Sequence, residues 1–267
     1  MADTPVGRAV AAAPNLRLPP RGAGGSIAPA MQLPFFPLHT VVFPHLPLPV
    51  HVFEERYRAM ATDLMAVGSP YAGRFIVSMI VDGPEVGGDA TTRPIGTICE
   101  VRSAEQFPDG RWVLLAVGVG RARLGEIDRS GPYALIEVDE VDEPLGDDAA
   151  AMLAPAQRAL DAYMATVKRF VVRTASVGHE AQETTDVAAS LDQMLKPIQL
   201  PDDPVAASYA IGGLLQIELS RKQHLLELPD AATRLRAELD LLRRESSLLN
   251  NGALTPVQPS DIGYHPN

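Results

Sequence analysis

The 267-residue sequence holds one cysteine, Cys99. A lone thiol forms neither an internal disulfide nor a thiolate cluster, which suits a reducing compartment and a cytoplasmic location. Lysine is nearly as scarce: Lys168, Lys196 and Lys222 stand against twenty arginines. A phosphate-binding loop sets lysine directly after glycine so that the ammonium reaches phosphates cradled by the loop amides. None of the three lysines follows a glycine, so ATP hydrolysis by that motif is excluded. No apolar run approaches the roughly 18 residues that a membrane helix needs, because charges, proline or glycine break each one. No membrane partner is expected. Positive charge is also short, with 33 acidic side chains against 23 basic ones and a formal charge of −10. That balance is the reverse of what phosphate neutralisation requires, so nucleic acid is not an expected partner.

What is present points to folded protein. Hydrophobic residues make up 46% of the chain, and its length accommodates one large or two ordinary domains. Residues 1–31 are dominated by Pro, Gly and Ala, without apolar period, and read as a disordered leader. A secretory signal is not supported, since Ala9 to Ala13 is short, weakly apolar and ended by Pro14. Met31 stands directly before the first apolar run and is an alternative translation start, which an intact mass of the native protein would decide.

Residues 32–144 read mostly as strand. Pro34, Pro37 and Pro44 interrupt the first apolar segment and predict a bent edge strand. A helix is expected from Glu54 to about Val67, stopped by Gly68, Ser69 and Pro70. Strands follow at Arg74–Val81, Ile95–Phe107, Arg111–Gly118, Val119–Ile127 and Tyr133–Val141. Short strands at this spacing predict a small barrel. Residues 145–249 turn helical. Leu153, Ala156, Leu160, Tyr163, Val167 and Phe170 recur at three and four, and a loop is expected from Arg173 to Thr185. Further helices are expected at Val187–Leu195, at Val205–Leu219 behind an Asp203-Pro204 cap, and from Asp230 through Leu249. Residues 250–267 read as a flexible tail. The fold class is α+β.

Each candidate for chemistry has a simpler explanation. Gly118-Val119-Gly120 begins like a dinucleotide fingerprint, yet it lacks the third glycine and a following helix, and reads as a hairpin turn. Gly83 to Asp89 could wrap an anion through its amides, but its own acids oppose that, leaving a loop between strands. His39, His45 and His51 recur every six residues, which would place them on one side of a strand as metal ligands. The intervening prolines disrupt that geometry, and three partly exposed histidines are the expectation. Gly24-Gly25-Ser26-Ile27-Ala28 approximates a nucleophile elbow but lies in the leader. Asp147-Asp148 and Asp202-Asp203 sit where helix caps are expected. No catalytic residue, metal site or cofactor emerges.

The conspicuous feature is apolar material that a small core cannot obviously consume. Phe35, Phe36, Leu38, Phe43, Leu46 and Leu48, kept extended by prolines, form a candidate surface for holding unfolded or extended polypeptide through apolar contact and edge-strand pairing. The competing explanation is that these side chains close one end of the barrel.

Three runs carry a resemblance: Leu33-Pro34-Phe35-Phe36-Pro37-Leu38, Val41-Val42-Phe43-Pro44, and Leu48-Pro49-Val50-His51-Val52-Phe53-Glu54-Glu55-Arg56-Tyr57-Arg58. Together they resemble the opening of the Lon protease N-terminal, or substrate-binding, domain. Ile95-Gly96-Thr97, Gly120-Arg121-Ala122-Arg123-Leu124, Gly131-Pro132-Tyr133, Leu200-Pro201-Asp202-Asp203-Pro204 and Lys222 to Glu227 continue it, although Ala122 stands where an aromatic is frequent. The resemblance implies a PUA-like β-barrel followed by a helical bundle, and a role in binding protein substrates. The ATPase and Ser-Lys peptidase modules of full-length Lon are not expected in these 267 residues, which points to a non-catalytic adaptor or holdase in protein quality control. Two alternatives stand beside it. Leu235, Leu239, Leu242 and Leu249 could form a self-association seam. A PUA-like ligand or RNA sensor would need Arg56, Arg58, Arg74, Arg121 and Arg123 on one face.

Overall fold

The computed structural model describes residues 31–86, 90–175 and 197–250. The expected leader up to residue 30, part of the Gly83 to Asp89 loop, the Val187–Leu195 helix and the tail beyond Asn250 lie outside the described residues. The chain divides between Val141 and Asp142 into two compact units.

The first unit is a mixed sheet with one helix. Its elements are β1 (Met31–Leu38), β2 (Pro47–Val52), α1 (Glu55–Met65), β3 (Arg74–Asp82), β4 (Thr91–Thr92), β5 (Ile95–Gln106), β6 (Trp112–Asp128) and β7 (Leu135–Val141). The strands run in the order β1-β7-β6-β5-β3-β4, and β1 also pairs with β3, so five of them make a closed circuit of ladders. The β1–β3 pair is parallel, and the other pairs in the circuit are antiparallel.

This circuit overturns the edge-strand expectation for β1. Residues 31–34 pair with β7 and residues 35–38 with β3, so neighbours flank the strand despite Pro34 and Pro37. Its two side-chain faces enter different cores. Leu33 and Phe35 pack with Ile76, Ile98, Ala122, Ile136 and Val138. Phe36 and Leu38 pack with Val50, Val52, Tyr57, Met60, Phe75 and Leu114. A strand buried on both faces reads as an uninterrupted apolar run, which accounts for the density of Leu33 to Leu38.

The expected hairpin turn at Gly118-Val119-Gly120 is also overturned: β6 passes straight through it as one strand of 17 residues. Opposite it the register shifts, with Ile98 facing Gly120 and Cys99 facing Gly118, so Val119 is the extra residue of a bulge. Gly118 serves close approach there. A Cβ at this position would meet the Phe43 carbonyl oxygen and Pro44 Cα.

The second unit contains α2 (Ala149–Ala175), α3 (Pro204–Leu214), α4 (Leu219–Glu227) and α5 (Ala231–Asn250). Both expected caps form: Asp203 accepts from the amides of Val205 and Ala206, and Asp230 accepts from Thr233 N–H at 2.7 Å. The single helix expected over Val205–Leu219 ends at Leu214, and a second begins at Leu219. Here α5 packs along α2, with Ala231, Leu235, Leu242 and Leu249 buried. Arg234 lies on the same face, fully buried. Its Nε donates to Leu225 O at 3.0 Å, its Nη1 donates to Ser208 Oγ at 2.8 Å, and the guanidinium stacks 3.9 Å from the Tyr209 ring. The Tyr209 hydroxyl donates to Glu143, whose carboxylate lies 3.6 Å from Arg234. A buried guanidinium is tolerated only with its donors satisfied and a counter-charge near.

Candidate functional site

The six side chains proposed from sequence do not form a surface together. Phe35, Phe36, Leu38 and Phe43 are each exposed by 5% or less. Phe36 meets the Tyr57 ring edge-to-face at 4.4 Å and the Phe75 ring at 6.0 Å. These four cannot meet another polypeptide while the unit is folded, because their contact area is spent on the interior. Leu46 and Leu48 are half-buried, and Leu48 packs on the core from β2.

The exposed apolar face lies on the neighbouring ladder. In β6, Leu114 and Ala116 point inward and are buried, so strand alternation turns Val113, Leu115 and Val117 to the opposite side. Leu115 is 41% exposed. The register sets Pro47 beside Val117, Pro49 beside Leu115 and His51 beside Val113 on one flank. On the other flank Ser103 faces Leu115 and Glu105 faces Val113. Pro47, Pro49, His51, Ser103 and Glu105 are all exposed. The result is a three-strand face with an apolar centre and one polar border. Sequence reasoning missed it because β6 is apolar at both parities, and pattern alone does not say which parity is covered.

The free edge of β2 is closed to strand addition by its prolines. Gly118 N–H donates to Leu46 O at 3.0 Å, and antiparallel alternation then turns the polar backbone of Leu48, Val50 and Val52 toward β6. Pro47, Pro49 and His51 turn theirs outward, and two of those three positions have no N–H to offer. Proline at an outward position is a device against edge pairing. Contact with this face must run through side chains.

The other candidates disperse. His39 lies beside Glu85, with Nδ1 3.0 Å from Oε2 and its backbone N–H donating to the same oxygen. His45 sits in a turn at φ 67°, and His51 lies on β2. Among the described residues no three metal-ligating side chains cluster. Arg56 pairs with Glu54 and lies 4.3 Å from the Tyr57 ring; burial pushes the Tyr57 hydroxyl up to about 12, with the Arg56 charge acting in the opposite sense. Arg58 donates to Gly110, Arg74 pairs with Glu100, and Arg121 is buried. Burial withdraws Arg121 from the arginine stripe that an RNA reading requires. The leucine seam of α5 is occupied within its own unit, with Leu235, Leu242 and Leu249 buried. Lys222 donates to Gly213 O at 3.3 Å, and burial draws its ammonium below the usual lysine range. The Ser26 candidate lies outside the described residues, as does Lys196.

Residues 32–244 match the family model described as the ATP-dependent protease La (LON) substrate-binding domain. The chain belongs to that family. It is 26% identical over 223 residues to the Lon protease of Trichlorobacter lovleyi, covering 82% of this chain and 24% of that protein. Against the Lon protease of Escherichia coli K12 the figures are 24% over 235 residues, 82% and 26%. The chain thus spans about a quarter of the length of these relatives. Two solved structures share the Lon N-terminal fold. A Lon N-terminal domain protein from Xanthomonas campestris gives a TM-score of 0.52 at 20% identity, covering 79% of this chain and 98% of that one. The N-terminal domain of Mycobacterium avium complex Lon protease gives 0.54 at 19%, covering 80% and 98%. The family to which the matched region belongs is a substrate-binding domain, which suggests substrate recognition in general.

Proposed function

We propose that this Lon-type domain binds extended polypeptide segments without catalysis, as a recognition module, adaptor or holdase in cytoplasmic protein quality control. The observation that carries this reading is the outward stripe of exposed Leu115 between half-buried Val113 and Val117, bordered by Pro47 and Pro49. An extended chain laid across it gains apolar burial at roughly 25 cal/mol per Å² of area removed from water. Leu48 pairs with the inward-pointing Ala116 and packs on the core, so it stands on the other side of the ladder from this stripe. The closed strand circuit supports the finer reading of the first unit as a PUA-like β-barrel, and the packing of α5 on α2 supports a helical bundle in the second.

Fluorescence anisotropy with apolar, extended peptides tests the function. Saturable binding is expected, weakened about tenfold or more by Leu115→Asp, with a thermal midpoint close to that of the parent protein because Leu115 is a surface residue. Binding that is absent, or indifferent to Leu115→Asp and Val113→Asp, overturns the assignment. Phe35 and Phe43 are unsuitable probes, since polar replacement there unfolds the unit.

A further inference from the structure

A guest on the three-strand face meets a surface whose two flanks are closed to its backbone. On the β2 flank, Pro47, Pro49 and His51 turn their polar backbone outward. Strand addition uses a donor and an acceptor at each such residue. At Pro47 and Pro49 the ring carbon Cδ stands where the N–H would be, so an incoming strand finds a steric block in place of a donor. The β5 flank is closed differently. Phe107 N–H donates to Arg111 O at 2.8 Å, and antiparallel alternation then turns the backbone of Ser103 and Glu105 toward β6 and that of Ala104 and Gln106 away from it. Ala104 is 8% exposed, out of reach of a guest. Further along, Val101 N–H donates to Gly73 O at 3.0 Å, and residues 97–100 pair with β3. Gln106 is left as a single exposed position, and one residue does not make a ladder. Between these flanks the face presents side chains: Leu115, half-buried Val113 and Val117, and the proline rings. Burial of apolar area is non-directional and asks nothing of the guest's amides.

We infer that this face reads its guest through side chains alone, so that it takes apolar segments whose backbone cannot pair as a strand, including those interrupted by proline. The inference rests on the polypeptide-binding reading above and defines its substrate class: apolar side chains are required, and backbone N–H groups are not.

Fluorescence anisotropy on the full chain compares three labelled peptides with the same apolar side chains: an unmodified parent, and two copies N-methylated at the odd or at the even residues. N-methylation removes the N–H as proline does while keeping the side chain. A strand ladder uses the amides of one parity only, so backbone pairing would weaken one copy by at least about tenfold and spare the other. Both copies are expected to bind within about threefold of the parent. A larger loss in either, with the parent bound, overturns side-chain reading and leaves the polypeptide reading standing. A parent that does not bind overturns the polypeptide reading itself, and this inference with it. Pro47→Thr combined with Pro49→Thr returns two outward N–H groups to β2, and on that variant the two copies should separate by about tenfold. Copies that stay level there overturn the assignment of the closed flank to the two prolines.

Discussion

Arg58 Nε donates to the carbonyl of Gly110 at 2.8 Å, fastening the tip of the β5–β6 hairpin to α1. Gly110 has φ 84°, and a Cβ there would collide with the Arg58 guanidinium. The arginine and the missing side chain are therefore one device, in which glycine makes room for the group that bonds its own carbonyl. The anchored hairpin contains the strands that display the exposed β6 face.

This coupling predicts a non-additive pair. Arg58→Ala removes one charged hydrogen bond, about 1.5 kcal/mol. Gly110→Ala adds backbone strain of about 1 kcal/mol together with the collision. In the double variant the collision is gone, so the combined loss measured by urea denaturation should fall short of the sum by about 0.5 kcal/mol or more. Strict additivity would show that the two sites act independently.

Glu238 predicts a pH dependence. It is fully buried on α5, no described residue meets either carboxylate oxygen in good hydrogen-bond geometry, and burial holds it well above the usual glutamate range, opposed by the Arg234 charge and the nearby Gly212 amide. The folded state retains this proton while the unfolded state releases it near pH 4.3. Stability from this group is therefore lost as pH rises from there to the folded value, by up to about 1.4 kcal/mol per pH unit. Glu238→Gln does not ionise, so its stability relative to the parent should improve between pH 5 and pH 8. A difference that stays flat across that range removes Glu238 as the cause.

Cys99 predicts a slow thiol. It is completely buried on β5, and burial pushes its thiol far above the usual range. Since the thiolate is the reactive species, labelling by an aromatic disulfide should be at least about a hundredfold slower in buffer than in denaturant, and its rate should track unfolding. Fast labelling of the native protein would contradict the core position.

Sequence patterning located most elements because their causes are local. Asp203-Pro204 and Asp230 start helices by capping free amides, and the three-four repeat from Leu153 to Phe170 marks α2. The failures share another cause. Gly118-Val119-Gly120 has turn composition, yet it is strand, because the backbone of Phe43 and Pro44 crosses it and needs the absent side chain. The split at Leu214 and the pairing of β1 on both sides depend on partners distant in the chain.

The candidate site divides in the same way. The sequence alone established an acidic chain with no phosphate-loop lysine, and the Lon N-terminal resemblance, because composition and motif order do not depend on packing. It also identified the apolar density of Leu33 to Phe53. Only the tertiary structure decided that Phe35, Phe36, Leu38 and Phe43 are spent on two cores, and that Leu115 faces water. The physical reason is that alternation along a strand distinguishes its two faces but does not say which is covered. Long-range pairing decides that, by laying β1 between β7 and β3 and leaving Leu115 of β6 exposed.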